Sequence, residues 1–224
     1  MEDLTYNGLS SLEKQLMETL EASLLSNSQN QAFETLFFDL CHQTKGMPFA
    51  NTPSLLHRKL LPALCRLDRK LRVQERIDLV QTLAQSGKSI TVIGRGWDKI
   101  ELPSNVHVQG SCSFEGQLRF FSQSKVVMHC SPYTFQSPTH DRLLNATLHG
   151  ALVISNCPQT SCNLKPNEHY LGYERFNPSL ALEKLLWAFQ YPQAAQQIVD
   201  TGRHQVQQHH LWSHRAQQLL KTLK

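Results

Sequence analysis

No stretch of this 224-residue chain holds the run of about 18 apolar residues that a membrane-crossing helix requires, so no spanning segment is expected. The acidic start Met1-Glu2-Asp3 is not followed by an apolar core, so no secretory leader is expected either, and the chain reads as cytoplasmic. Its six cysteines, Cys41, Cys65, Cys112, Cys130, Cys157 and Cys162, include no C-x-x-C pair, which argues against a zinc knuckle and against a disulfide scaffold. They read as reduced and mostly buried small side chains. Also missing are the G-x-x-x-x-G-K-[ST] loop of nucleotide triphosphatases, the G-x-G-x-x-G of nicotinamide enzymes and the H-E-x-x-H of zinc proteases.

What is present is the make-up of an ordinary globular protein, with 40% hydrophobic and 18% charged residues. The net charge of +4 suits a phosphate-bearing ligand and is too small to argue for nucleic acid. Ser10 and Glu13 form a capping box ahead of Leu12, Leu16, Leu20 and Leu24, which predicts a first helix. Phe33, Leu36, Phe37, Leu40 and Cys41 mark a second, and Thr52-Pro53 opens a third that Pro62 should kink or end. The stretch from Leu55 to Arg76 is basic but holds no aromatic residue for base stacking, so it reads as a solvated helix face and no nucleic-acid partner is expected. Residues 1–60 are thus a helical segment without recognisable chemistry, and residues 61–224 form a separate domain.

After Ser86-Gly87 the period changes. Ser89-Ile90-Thr91-Val92-Ile93 predicts a strand that runs into the turn Gly94-Arg95-Gly96-Trp97, where glycines let backbone amides approach a ligand. Asn105–Gly110 predicts a second strand and Phe114–Phe121 a crossover helix. Lys125–Asn156 then reads as strand, loop, helix, strand, with a weak further strand around His169–Tyr173. This alternation predicts an α/β fold, a Rossmann-like parallel sheet with helices on both faces, preceded by the α-helical N-terminal segment. Ligands of such sheets bind beyond the carboxyl ends of the strands, which directs attention to the segment from Ser131 to Asn145. Beyond it the chain is helical, with Leu180, Leu182, Leu185, Leu186 and Phe189 as one apolar face. His210 and His214 stand at a spacing a zinc pair uses, but no H-E-x-x-H accompanies them and no metal site is expected.

His140-Asp141-Arg142-Leu143-Leu144-Asn145-Ala146 and Gly150-Ala151-Leu152-Val153-Ile154-Ser155 resemble the H-E-R-x-x-E-A…G-x-x-x-x-S/T signature of GT-B glycosyltransferases, particularly bacterial ones of the spore-maturation type. Val92–Trp97 resembles their V-x-G-x-G-W turn, and Gly202, His210-Leu211-Trp212 and Arg215 their closing segment. The resemblance spans residues 67–224, the length of the C-terminal, nucleotide-sugar-binding half. It implies that a nucleotide diphosphate sugar is the donor substrate, with no cofactor and no metal, bound by Gly94, Arg95, Gly96, Trp97, Ser131, Pro132, Tyr133, His140, Asp141, Arg142 and Asn145. His140 and Arg142 would face the diphosphate. Asn145 stands where the family usually has a glutamate that grips the ribose. The catalytic base of such enzymes comes from an N-terminal Rossmann half that is not recognisable here, so no catalytic residue is named. A partner chain supplying the acceptor half is one expectation, and a non-catalytic regulatory module with the same fold is the alternative.

Overall fold

The computed structural model describes residues 6–26, 33–43, 60–131, 141–157 and 163–223. The chain divides into two units, the first built chiefly from Met1–Ile77 and the second from Asp78–Ser131 with Ser137–Lys224.

In the first unit, α1 (Ser11–Leu25) begins with the predicted box: Ser10 Oγ accepts from the Glu13 amide and the Glu13 carboxylate accepts from the Ser10 amide at 2.7 Å. Leu16, Met17, Leu20 and Leu24 are buried on its inner stripe, and α2 (Phe33–Gln43) packs beside it with Phe33, Phe37 and Cys41 buried. Burial pushes the Cys41 thiol above the usual cysteine range. The third helix predicted from Thr52-Pro53 lies outside the described residues. Pro62 stands instead in the first turn of α3 (Leu61–Ala84), where a missing amide hydrogen costs nothing. Basic residues of α3 are drawn into local pairs, Lys70 with Glu21 at 2.9 Å and Arg72 with Asp68. Among the described residues up to Ile77 there is no strand.

The second unit is α/β, with parallel sheets flanked by helices. β-branched residues form β1 (Ile90–Ile93), which pairs in parallel with β2 (Val106–Gln109). Asn105 bridges the helix end and the strand, its amide donating to the carbonyls of Ala84 and Lys88, each at 2.9 Å. A Ser113 cap then starts α4 (Phe114–Gln123), which leads to β3 (Val126–His129). β3 pairs in parallel with β4 (Leu152–Ser155), reached through α5 (Asp141–Leu148), and β4 pairs with the short β5 (Leu171–Gly172). The expected sheet is thus present as two hydrogen-bonded pieces, β1-β2 and β3-β4-β5. They share one core, because Ile90 of β1 and Val126 and Met128 of β3 pack on the same buried cluster.

β4 explains the layering. All four of its residues are buried, and their side chains alternate between two cores. Leu152 and Ile154 join Leu79 and Leu83 of α3, Ala181, Leu185 and Ala188 of α6 (Pro178–Gln190), and Ala195 and Val199 of α7 (Pro192–His209). Val153 points the other way, to Phe121 of α4, Leu143 and Ala146 of α5, and Val206 of α7. Each such fully buried Leu or Ile contributes about 1.5–3 kcal/mol, so helices on both faces are the economical way to cover a strand with no polar side. On α6 the buried stripe is Ala181, Leu185 and Ala188, whereas Leu186 and Phe189 of the predicted face are exposed. Alanines let α6 approach the sheet closely. The ring of Phe189 is covered by the Lys88 ammonium, 4.7 Å from its centroid.

Candidate functional site

Backbone conformation fixes the turn leaving β1. Gly94 and Gly96 have φ of 135° and 92°, a region L side chains rarely enter, and a Cβ on either would meet nothing within 4 Å. Glycine is therefore required here by the chain path and not by crowding. The Gly94 amide donates to the Gln109 carbonyl at 3.0 Å, tying the turn to β2. Arg95 is exposed. Trp97, half-buried, opens a short 3-10 turn and packs on Val80, Ala84, Val92 and Val106.

A ledge of buried polar groups lies at the carboxyl ends of β3 and β4. His129 and Ser155 are register partners across the two strands, and His129 Nδ1 lies 2.8 Å from Ser155 Oγ. The same hydroxyl oxygen accepts from the Cys157 amide at 3.0 Å. One residue beyond Ser155 and two beyond His129, the Asn156 side-chain oxygen accepts from the Ser131 amide at 2.6 Å. Ser131 is only 1% exposed, and among the described residues its hydroxyl oxygen is buried without a hydrogen-bond partner. Leaving such a group unsatisfied costs about 1–3 kcal/mol, so an acceptor or donor brought by a ligand would recover that amount. At the neighbouring end of β5, the Tyr173 hydroxyl lies 3.4 Å from Cys130 Sγ.

α5 presents the rest of the described candidates. It is seated by Leu143, Ala146 and Thr147, all buried, which leaves Asp141 and Arg142 exposed and Asn145 half-buried. The Asp141 carboxylate accepts from the Arg142 amide at 2.9 Å, so the helix N-terminus carries an anion of its own. The Asn145 carbonyl takes both the amide and Nδ1 of His149, at 3.0 and 2.7 Å. None of the hydrogen bonds among the described residues uses its side-chain amide. Pro132, Tyr133 and His140 lie outside the described residues.

The structure therefore ties Ser131 to the end of β4, while Gly94–Trp97 is tied to β2 and the core below it. His129 and Asn156 were not singled out by sequence. The signal available was a polar residue directly after an apolar run, His129 after Val126–Met128 and Ser155-Asn156 after Ala151–Ile154.

In the closing segment, Gly202 is buried where α7 meets the His169 carbonyl and Thr147. The Arg215 guanidinium lies 3.0 Å from His210 Nδ1, and His214 Nδ1 accepts from the Leu211 amide at 3.2 Å. One ring nitrogen of each histidine is thereby engaged in local structure. Among the described residues no group of three His, Cys, Asp or Glu side chains is placed to hold a metal ion, and no helix is long and apolar enough to cross a membrane.

A family model described as glycosyl transferase-like matches residues 70–221. No curated protein and no solved structure matches the chain.

Proposed function

The chain belongs to the glycosyl transferase-like family, and from that membership we propose that it binds a nucleotide diphosphate sugar at the carboxyl ends of β1 and β3 and passes the sugar to an acceptor supplied with a partner chain. The observation that carries the reading is the Ser131 hydroxyl, buried and unpartnered among the described residues, with its amide pinned by Asn156. A rigid amide and an open hydroxyl at a strand end are what a sugar or phosphate oxygen needs. The N-terminus of α5 offers a helix dipole, and Arg142 offers a charge-assisted grip on a leaving diphosphate without a metal. Arg95 and the amides of Gly94–Trp97 contribute from the β1 side and Asp141 from the start of α5; Pro132, Tyr133 and His140, assigned to the donor by the family resemblance, lie outside the described residues. Asn145 faces the ribose. The closing segment and the H-D-R-L-L-N-A run support kinship with the bacterial spore-maturation type, and the cysteines among the described residues, none of them in a disulfide, fit a reducing cytoplasm.

One observation favours a second reading, a non-catalytic partner or regulatory module. Where a GT-B transferase has an acceptor-binding sheet, the described residues of the first unit are helical. A base to deprotonate the acceptor would then come from another chain. The experiment follows nucleoside diphosphate released from candidate nucleotide sugars, by the chain alone and with added acceptors and partner fractions. Release above the uncatalysed rate, lost in Arg142→Ala, supports the transferase. Saturable binding with no release under any pairing supports the module.

A further inference from the structure

The helix α8 (Trp212–Thr222) buries none of its side chains. Its apolar residues nevertheless share one face: Trp212, Ala216, Leu219 and Leu220, with Leu223 just past its end, recur at i, i+4, i+7, i+8 and i+11, an arc of about 100°. That face is turned to solvent, with Trp212 88%, Leu219 65%, Leu220 62% and Leu223 81% exposed. A tryptophan and three leucines left in water call for an occupant.

Charge says which. No Asp or Glu follows Asp200, while Arg203, Arg215, Lys221 and Lys224 do. The remaining residues 1–200 hold 18 Lys and Arg against 18 Asp and Glu, so the whole formal charge of +4 is carried by residues 201–224. Four histidines, His204, His209, His210 and His214, add to it when protonated. A second copy of α8 would bring like charges together with no acid on either helix to pair them. An anionic lipid surface satisfies both halves of the helix. Trp212 would sit among headgroups and the leucines at the acyl boundary, while Arg215 on the flank of that face meets lipid phosphates and Lys221, across the helix, stays within about a Debye length of them.

We infer that α8 is a surface anchor that lies in the plane of an anionic membrane. Eleven residues rise about 16 Å, far short of a bilayer, so the helix lies on the membrane and does not cross it. The inference does not rest on the donor-binding reading.

The test floats the full chain with vesicles of phosphatidylcholine alone or containing one third phosphatidylglycerol. The chain should float with the anionic vesicles only, with its tryptophan emission shifted to the blue. The triple variant Trp212→Ser, Leu219→Gln, Leu223→Gln should lose at least tenfold in partition, and Arg215→Gln and Lys221→Gln about fivefold each. Trp212, Leu219, Lys221 and Leu223 are exposed, so an unchanged melting midpoint should accompany the triple variant and Lys221→Gln. Arg215 is half-buried and bonded to Gln218, so the partition of Arg215→Gln is compared at a temperature where its own melting curve shows it folded. The inference is overturned if the chain stays in solution with anionic vesicles or if the triple variant floats equally well. It is also overturned if the chain is a stable dimer that the triple variant dissociates.

Discussion

A methyl group added at Gly202 would collide with backbone. Its Cβ would stand 2.3 Å from the His169 carbonyl oxygen and 3.1 Å from both the His169 carbonyl carbon and Thr147 Cγ2. A tolerable carbon–oxygen contact is about 3.3 Å, so α7 or the turn before β5 must retreat by about 1 Å. Overpacking of this kind costs about 1–3 kcal/mol, and the upper end applies because the obstacle is a backbone carbonyl and not a flexible side-chain tip. Alanine returns about 1 kcal/mol as the better helix former. The balance for Gly202→Ala is a loss of about 2 kcal/mol, which lowers the melting midpoint by about 4–8 °C in a chain of this length. Thermal unfolding followed by circular dichroism, with the exposed neighbour Thr201→Ala as control, measures it. An unchanged or raised midpoint for Gly202→Ala would refute the close packing of α7 on the site's supporting elements, and with it the structural reason for a glycine in the closing segment.

Arg142→Ala should weaken nucleotide-sugar affinity by about 1.5–3 kcal/mol, roughly ten- to a hundredfold, with the melting midpoint unchanged because the side chain is exposed; a lowered midpoint with intact affinity would make Arg142 structural. Asn145→Glu should tighten donor binding by a similar factor through a charged acceptor for the ribose hydroxyls. No change, in a wild type that already binds below micromolar, would return Asn145 to a packing role. His169 is held below the ordinary histidine range, first by burial, with Glu168 opposing and Lys165 adding to the shift. Its Nδ1 accepts from the Lys165 amide at 2.9 Å. The unfolded chain therefore takes up the proton first, so stability is full above about pH 6.5 and falls as pH drops below that value. Denaturant unfolding between pH 8 and 5.5 should lose more stability for wild type than for His169→Asn, and equal losses would exclude His169 as the cause.

Local rules carried far along this chain. The Ser10 box, the β-branched run at Ile90–Ile93 and the helix between two apolar runs at Lys125–Asn156 each depend on residues close in sequence, and each is present. Long-range facts were hidden. Whether β1 and β3 hydrogen-bond to one another is a matter of tertiary packing, and the break between the two sheets leaves no mark in either strand. Hydropathy gives most weight to Leu186 and Phe189, but the sheet selects Ala181 and Ala188 because close approach buries more backbone and neighbouring surface. The cysteines read as mostly buried, but Cys65 falls on the outer face of α3 and Cys112 on the chain before α4, and both are exposed. The His129–Ser155 pair needs the β3–β4 register, which neither residue encodes alone. The apolar stripe of α8 has the same period as a core helix, and only the fold reveals that Trp212, Leu219, Leu220 and Leu223 are exposed.

The proposed binding of a nucleotide diphosphate sugar at the carboxyl ends of β1 and β3 is tested most directly by a thermal-shift panel over nucleoside diphosphates and their sugars. A true donor at 100 times its dissociation constant should stabilise the fold by about 2.7 kcal/mol and raise the midpoint by several degrees, with the rise lost in Arg142→Ala. No rise with any member of the panel would contradict donor binding at these strand ends.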